Sequence, residues 1–408
     1  MISSSLRVGR RSGLGLRALV LVVAVWPPHV ALPAELYADG RVGQQFEYDS
    51  NIDLGDDSDD DLSEDGDDAY GSRSTVGVTV GARTPAVDLV LGGEFRLIRF
   101  PNESRLDSED ASLTGSGRWD WRRASLGLEA GVTRDTTREV EDVQTTESIR
   151  ANEERLTFSV SSSLDYQLSR LQTAGLTLSY QERIFPGLST SEARDLDLEE
   201  FSFYRLGGNW RRSLTPVLGL TGTLGSSYFD SDQEETITGQ AQLGLDYGLT
   251  PALRVNGSIG PSIASTEEKG PLGESDTTLG FVWDAGLNYR PSADAALQAR
   301  LFQDFAPQST GGELVLRTGL QLTFDYELTR YTSFSLPIAA DREDPVGGDS
   351  DVGYFARVEP RLSFKITPQA SIGTSYRFRY LDEEEESATS HAIVLDFGYD
   401  FPSFLTSR

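Results

Sequence analysis

Alternation of apolar and polar residues over long segments is the feature that most restricts the folds open to this chain. In the segment 279–289 every odd position is apolar, whereas Asp284 and Asn288 lie on the opposite face. The segments 314–328 and 352–366 alternate in the same way. A side-chain period of two belongs to β-strands, because a helix of period 3.6 would mix charged and apolar residues on every face. The sequence therefore predicts an all-β fold.

A turn motif recurs between these segments, in which an aromatic residue is followed by any residue, Leu or Ile, Thr or Ser, and Pro or Arg. Its four clear copies are Tyr166–Arg170, Tyr247–Pro251, Tyr326–Arg330 and Phe364–Pro368. They are spaced at multiples of about 40 residues, the length of a long hairpin. Longer acidic or Gly/Ser-rich loops lie between them, for example at 55–69 and 231–235. Short turns that alternate with long loops are typical of outer-membrane barrels, whose short turns face the periplasm.

The first 34 residues have the pattern of a secretory signal. Arg7, Arg10, Arg11 and Arg17 form a basic segment, and the apolar run 18–26 ends at two prolines. That run is too short to span a bilayer, although an uncleaved anchor is the alternative. We therefore expect residues 1–34 to be a signal peptide and residues 35–408 to form the barrel. Export through the periplasm to the outer membrane of a Gram-negative bacterium follows.

A soluble β-sandwich or β-helix would also alternate, so the membrane has to be argued separately. The apolar faces run without a charge over about 9–11 residues, the length that a bilayer requires. Aromatic residues cluster at both ends of these faces, as in interfacial girdles, for example Tyr247 and Tyr289 at one end and Tyr228 and Phe281 at the other. The opposite faces are densely charged, which would be costly in a dry core.

The number of alternating segments predicts a transmembrane antiparallel up-and-down β-barrel of about 18 strands, within a range of about 16–18. An even number places both termini in the periplasm. The last predicted strand, 388–401, has an aromatic-rich face like the terminal strand that the barrel assembly machinery recognises, with Phe404 as an alternative terminal aromatic.

Composition excludes several classes of function. The 64 acidic and 36 basic residues give a net charge of −28, which becomes −32 without the four arginines of the signal, so nucleic-acid binding is not expected. The absence of cysteine excludes disulfides and thiolate chemistry. The mean hydropathy of −0.34 fits a barrel, because every second residue faces water. No cofactor motif is present, and none is expected.

Charged residues on the polar faces of the strands are the candidate pore lining, because rings of charge set the selectivity of pores. The candidates are Arg317, Arg357, Arg361, Arg377, Arg379, Asp284, Asp325 and Glu327. Arg357, Arg361, Arg377 and Arg379 lie on neighbouring strands, where they could form a basic ladder. The alternative is that these charges pair across strands and fill the interior.

Two further features have a functional and a plain interpretation. The acidic run in the first long loop, with Asp57, Asp59 and Asp61, could bind a divalent cation, but it does not match a calcium loop and is otherwise a solvated segment. His391, which follows Ser390, is the one histidine beyond the signal. A single histidine at a loop edge is poor support for a hydrolase, so no enzymatic activity is expected.

The first predicted strand contains Tyr48-Asp-Ser-Asn-Ile52, followed by an acidic loop. In this motif and in architecture the chain resembles a family of bacterial outer-membrane β-barrel porins, some of which are linked to exopolysaccharide secretion. The resemblance implies a pore for polar solutes or for a secreted polysaccharide. It implies outer-membrane lipid, lipopolysaccharide, the barrel assembly machinery and polysaccharide secretion components as partners. The alternative function is a non-conducting barrel that acts through its extracellular loops.

Overall fold

The computed structural model is a closed antiparallel barrel whose wall has 18 strand positions. It describes residues 35–52, 68–137, 152–188, 198, 200–269, 275–307, 314–346, 352–383 and 386–407. The predicted signal peptide lies outside the described residues. Each strand pairs with its neighbours in the chain, which is the up-and-down topology, so the predicted fold class and strand number are confirmed.

The wall consists of long strands joined alternately at two ends. Their bounds are β1 (Glu35–Asp49), β2 (Ala69–Arg83), β3 (Val87–Arg99), β4 (Ser108–Asp120), β5 (Ala124–Thr136), β6 (Glu154–Ser169), β7 (Gln172–Ile184), β8 (Phe201–Ser213), β9 (Leu218–Ser231), β10 (Glu234–Thr250), β11 (Leu253–Glu268), β12 (Ser275–Tyr289), β13 (Ala295–Pro307), β14 (Leu314–Thr329), β15 (Thr332–Pro345), β16 (Gly353–Val358), β17 (Arg361–Lys365), β18 (Ala370–Glu383), β19 (Glu386–Asp400) and β20 (Phe404–Ser407). One 3₁₀ turn, Ser104–Leu106, lies between β3 and β4.

The barrel closes where the first strand meets the last. β1 pairs with β19 from Arg41–Asp400 to Asp49–Ala392. The short β20 continues the line of β19 and pairs with the beginning of β1. Closure leaves no free sheet edge along this seam, which is what a strand in hydrocarbon requires. Both described ends of the chain lie at the end with the short turns, as an even strand number demands.

β16 and β17 together fill one position of the wall, because both pair with β15 and β18. The break falls at Glu359 and Pro360. Proline has no N–H to donate to a ladder. Two backbone hydrogen bonds close the gap: Glu359 N donates to Pro337 O at 3.1 Å, and Tyr376 N donates to Pro360 O at 3.1 Å.

The threonine of the repeated turn motif has a direct structural role. The hydroxyl oxygen of Thr250 accepts hydrogen bonds from the N–H groups of Ala252 and Leu253, at 3.2 and 3.0 Å. Thr84, Thr215, Thr329 and Thr367 accept the same pair of bonds in their own turns. A threonine hydroxyl that binds backbone N–H groups two and three residues ahead reverses the chain without further residues. The motif predicted the turns at Thr250, Thr329 and Thr367, and these hydrogen bonds show how they form.

The prediction of a long loop at 231–235 was wrong, because only Asp232 and Gln233 join β9 to β10. The acidic composition of this segment had indicated a longer connection. The Ser231 hydroxyl accepts hydrogen bonds from the N–H groups of Gln233 and Glu234, at 3.3 and 3.2 Å. A serine turn of the same kind as the threonine turns therefore tightens the connection.

The outer surface has an apolar band with aromatic residues at both ends. Exposed Leu, Val, Ile and Phe side chains cover the middle of the strands, among them Leu224, which is 68% exposed. At the end with the long loops Tyr180, Tyr204 and Tyr228 form a row on adjacent strands, with ring centroids 4.8 and 6.1 Å apart. Tyr247 is exposed near the short turns. An exposed apolar surface of this extent is a lipid-facing surface, and its aromatic edges mark the two interfaces.

Candidate functional site

All eight predicted pore-lining residues lie at lumen-facing positions of the strands. The alternation fixes this face. The residues beside the candidates are exposed on the outside, for example Ala285 beside Asp284, Tyr326 between Asp325 and Glu327, and Tyr376 beside Arg377. The structure divides the eight residues into a group at the closing seam, a group under an inward-folded hairpin, and a group at the periplasmic mouth.

At the closing seam, two of the predicted arginines are buried in ion pairs with β1. Arg377 Nη1 lies 2.8 Å from Glu47 Oε1, and Arg379 Nη2 lies 2.8 Å from Asp49 Oδ2. The Ser390 hydroxyl donates to the other oxygen of Asp49 at 2.5 Å. Arg379 also contacts the Asn51 and Ile52 carbonyls, so the start of the first loop covers it. These charges hold β18 and β19 to β1.

The other two arginines of this group share one carboxylate. Arg361 Nη2 lies 3.0 Å from Glu359 Oε1, and Arg357 forms an ion pair with the same side chain. Arg377 Nε lies 3.5 Å from Glu359 Oε2. The four arginines therefore face the three carboxylates of Glu47, Asp49 and Glu359. The proposed ladder and the cross-strand pairing occur together, and most of the positive charge is compensated.

Arg317 and Asp284 also have partners of opposite charge. Arg317 Nη2 lies 2.9 Å from Asp341 Oδ2, and both side chains are nearly buried. Arg300 Nε lies 2.5 Å from Asp284 Oδ2 on the neighbouring strand, in a more open position. Bridges of this kind fix strand register and reduce the net field in the lumen.

Asp325 and Glu327 lie near the short turns, in the periplasmic mouth. Both are exposed. The Ser335 hydroxyl donates to Asp325 Oδ1 at 2.7 Å. These two residues are the most open acidic members of the predicted set.

The extracellular end of the β13–β14 hairpin folds out of the wall and into the lumen. The β12–β13 ladder ends at Trp283–Gln303, whereas the β13–β14 ladder continues to Pro307–Leu314. By alternation Phe305 would face lipid, like Leu301, yet it is 6% exposed. Sequence reasoning missed this bend, because its local signal is a single polar residue, Gln303, on the apolar face between Leu301 and Phe305.

Apolar and polar contacts fix the folded hairpin against the far wall. Phe305 and Leu314 belong to one buried cluster with lumen-facing side chains of other strands, namely Phe201, Phe203, Phe229, Ala264 and Val282, and with Val346. Arg205 Nη2 donates to Phe305 O at 3.0 Å, and Leu314 N donates to Glu234 Oε1 at 3.0 Å. Arg205 lies on β8, five strands from β13, so the hairpin crosses part of the lumen and narrows it.

An uncharged wall was also missed by sequence reasoning. At mid-height the lumen-facing residues of β6 to β11 are small, hydroxyl-bearing or amide-bearing, apart from Arg205. They are Thr157, Ser159, Ser161, Ser163, Thr173, Gly175, Thr177, Ser179, Gln181, Gly207, Asn209, Gly219, Thr221, Thr223, Gly225, Ser227, Thr236, Thr238, Gln240, Gln242, Gly244, Asn256, Ser258, Gly260 and Ser262. The signal was the alternation of uncharged polar residues in 236–242, where charged residues alternate in other strands.

A cavity of about 310 Å³ lies between this wall and the folded hairpin. Its polar side includes Asn209, Gln240 and Gln242, and Phe302 and Phe305 border it on the hairpin side. Among the described residues it is the point where the uncharged wall and the narrowed part of the lumen meet.

The metal and hydrolase candidates receive no support from geometry. Asp57, Asp59 and Asp61 lie outside the described residues. Within the described ranges no group of three acidic or histidine side chains is placed to hold a metal ion. His391 lies on the outer face, with Nδ1 2.6 Å from the Tyr376 hydroxyl, whereas Ser390 points to the interior. The two neighbours therefore face opposite sides of the wall.

The outer rim above the aromatic row has its own ion pairs. Arg134 Nε lies 2.5 Å from Glu154 Oε1, and both side chains are about half exposed. The hydrogen bond from Arg134 holds the pKa of the Glu154 carboxyl below its ordinary value. Charged pairs outside the apolar band agree with a position in the headgroup region.

A closed barrel with an apolar outer band, aromatic girdles and a polar interior is an integral protein of the outer membrane. In the described part of the chain, no helix is long and apolar enough to cross a membrane.

Comparison with known proteins gives structural neighbours only. No family model matches the sequence, and no curated protein does. Pseudomonas aeruginosa OpdO is 14% identical over 90% of this chain and 97% of its own, with a TM-score of 0.48. Acinetobacter baumannii OccAB4 is 10% identical over 91% and 99%, with a TM-score of 0.47. The P. aeruginosa outer membrane protein opdK is 9% identical over 90% and 99%, with a TM-score of 0.45.

Proposed function

We propose that this protein is a porin-like channel for the passive passage of small polar solutes across the outer membrane. The observation that carries the proposal is the interior, where hydroxyl, amide and charged side chains line the lumen at mid-height and toward the short turns, below the apolar cluster that fixes the folded hairpin. A barrel of 18 strands is in the size range in which an aqueous channel remains after side chains fill the wall. No step of chemistry is required.

Single-channel recording in a planar bilayer tests this function. We expect stable conductance steps from the purified, refolded protein. If none occurred over a wide range of salt concentrations, the alternative of a non-conducting barrel acting through its loops would replace the channel.

The folded hairpin supplies a second test. Replacing Phe305 and Leu314 by Ala removes two large side chains from the cluster that fixes the hairpin, and such replacements cost about 2–5 kcal/mol each. We expect higher or more variable conductance. Leu301→Ala, on the lipid-facing side of the same strand, is the control and leaves conductance unchanged. If the wild-type protein, the double variant and Leu301→Ala had equal conductance, the folded hairpin would not be the constriction that limits the current.

Passage of a secreted polysaccharide is the second candidate. The uncharged wall is the observation that favours it, since a neutral polymer could slide along hydroxyl and amide groups. The folded hairpin would have to move aside. Deletion of the gene tests this candidate: loss of a surface polysaccharide would support it, and normal export would count against it.

A further inference from the structure

The geometry points to a subsite for an uncharged, polyhydroxylated solute, of the monosaccharide class, in the cavity between the β8–β10 wall and the folded hairpin. This inference rests on the proposed channel function and names the class of solute that the channel selects. Three amide side chains, Asn209, Gln240 and Gln242, are its recognition groups.

The amides of this cavity offer both donors and acceptors. The Ser258 hydroxyl donates to Gln242 Oε1 at 2.7 Å, which fixes the amide and directs its NH₂ group away from Ser258. Gln240 Oε1 is buried and accepts no hydrogen bond from any group in the described chain. A sugar hydroxyl is both donor and acceptor, so it can satisfy either kind of amide atom. A buried acceptor without a partner is costly, so a rotation of the Gln240 amide that turns this oxygen toward the cavity would let a bound hydroxyl remove that cost.

Glycine makes room for this arrangement. Gly225 lies under the Gln240 side chain, and a Cβ there would be 3.1 Å from both Cγ and Nε2 of Gln240. A larger residue would push the amide from the wall. Next to it, among the described residues, the lumen-facing Gly207 has only the Thr177 Cβ, at 4.0 Å, near the position of a Cβ. The wall is therefore recessed where the amides stand.

The charges that border the cavity cancel. Arg300 is paired with Asp284, and Arg205 donates to Phe305 O. With Asp304, the border has two positive and two negative groups. An ion entering this place would lose hydration, and a border without net charge offsets little of that loss. A neutral polyol exchanges hydrogen bonds with water for hydrogen bonds with amides, at little net cost.

Size agrees with this class of solute. The volume of about 310 Å³ is at the lower limit of the range of roughly 300–1,000 Å³ that is usual for ligand pockets. The site is therefore suited to one small ring rather than to an extended chain. Phe302 and Phe305 give it an apolar boundary.

The test is block of the single-channel current by glucose, compared with glucuronate, which has the same ring and one carboxylate. We expect glucose to reduce the current at lower concentration than glucuronate. Gln240→Leu/Gln242→Leu should weaken the glucose effect about tenfold, since it removes two neutral hydrogen-bonding groups. Gln298→Leu, a lumen-facing glutamine on β13 outside the cavity, is the matched control and should leave block unchanged.

The outcomes separate the two proposals. A wild-type protein without conductance refutes the channel. A conducting protein that glucose does not block, or that glucuronate blocks as strongly, overturns the subsite. Unchanged glucose block in a conducting double variant overturns it as well. If the double variant does not fold, Asn209→Ala and Gln242→Ala are measured separately, and at least one must weaken the block.

Discussion

The buried ion pair between Arg379 and Asp49 allows a quantitative test of how the barrel is closed. Arg379 is 2% exposed and Asp49 is 0% exposed, and the charged atoms are 2.8 Å apart. Arg379→Gln would leave a buried carboxylate whose remaining side-chain donor is the Ser390 hydroxyl. Removal of one partner from a buried pair costs about 3–5 kcal/mol, because the other charge stays desolvated. We expect a loss of stability of that size.

Two further variants isolate the charge effect. Asp49→Asn/Arg379→Gln removes both charges and should recover most of the loss, because no unpaired ion remains. Arg361→Gln breaks a pair whose arginine is 51% exposed, so its cost should be about 0–1 kcal/mol. Unfolding by guanidinium in lipid vesicles, followed by tryptophan fluorescence, measures all three. A loss below about 1 kcal/mol for Arg379→Gln, or a double variant no more stable than the single one, would refute the reasoning.

Three other predictions concern the lipid face, the turns and the lumen charge. Leu224→Arg should lower the unfolding free energy by about 2–4 kcal/mol, because it places a charge on the apolar band. Thr223→Arg places the charge in the lumen and should still fold. Equal losses in the two variants would contradict the assigned faces. Thr250→Ala should lower the unfolding free energy by about 1 kcal/mol, because the hydroxyl acceptor is lost, and Thr250→Ser should restore it. If Thr250→Ala were as stable as the wild-type protein, the hydroxyl would not stabilise the turn. Arg361→Gln should lower anion preference in bilayer recordings, and an unchanged reversal potential would exclude this residue from selectivity.

Local pattern was sufficient to predict the wall of the barrel. Alternation fixes which side of each strand meets lipid, because the side-chain period of a strand is two. The Thr250 turn could be recognised because its chemistry is contained within four residues. The strand number followed from counting the alternating segments. These features depend on neighbours in the chain, so a single sequence contains them.

Long-range pairing could not be predicted in the same way. Arg377 and Glu47 are 330 positions apart in the chain and meet because the barrel closes. Sequence reasoning left open whether this arginine lines the pore or pairs across strands, and nothing in the local pattern indicated its partner. Phe305 shows the same limit. Its position in the alternation is that of a lipid-facing residue, but the inward bend of the β13–β14 hairpin places its side chain in the buried cluster. The errors therefore concern which lumen-facing side chains can contact a solute.

Compensation changes how selectivity should arise in this lumen. With Arg377 and Arg379 buried in ion pairs, the conspicuous arginines contribute less field than their number indicates. A solute that passes the folded hairpin meets Gln240 and the other amides of the uncharged wall instead. In a narrow, neutral passage the number of hydrogen bonds a solute can exchange decides the cost of entry. Under the proposed channel function, we therefore expect hydrogen bonding to select solutes at this passage, and exposed charges such as Arg361 to act elsewhere in the lumen.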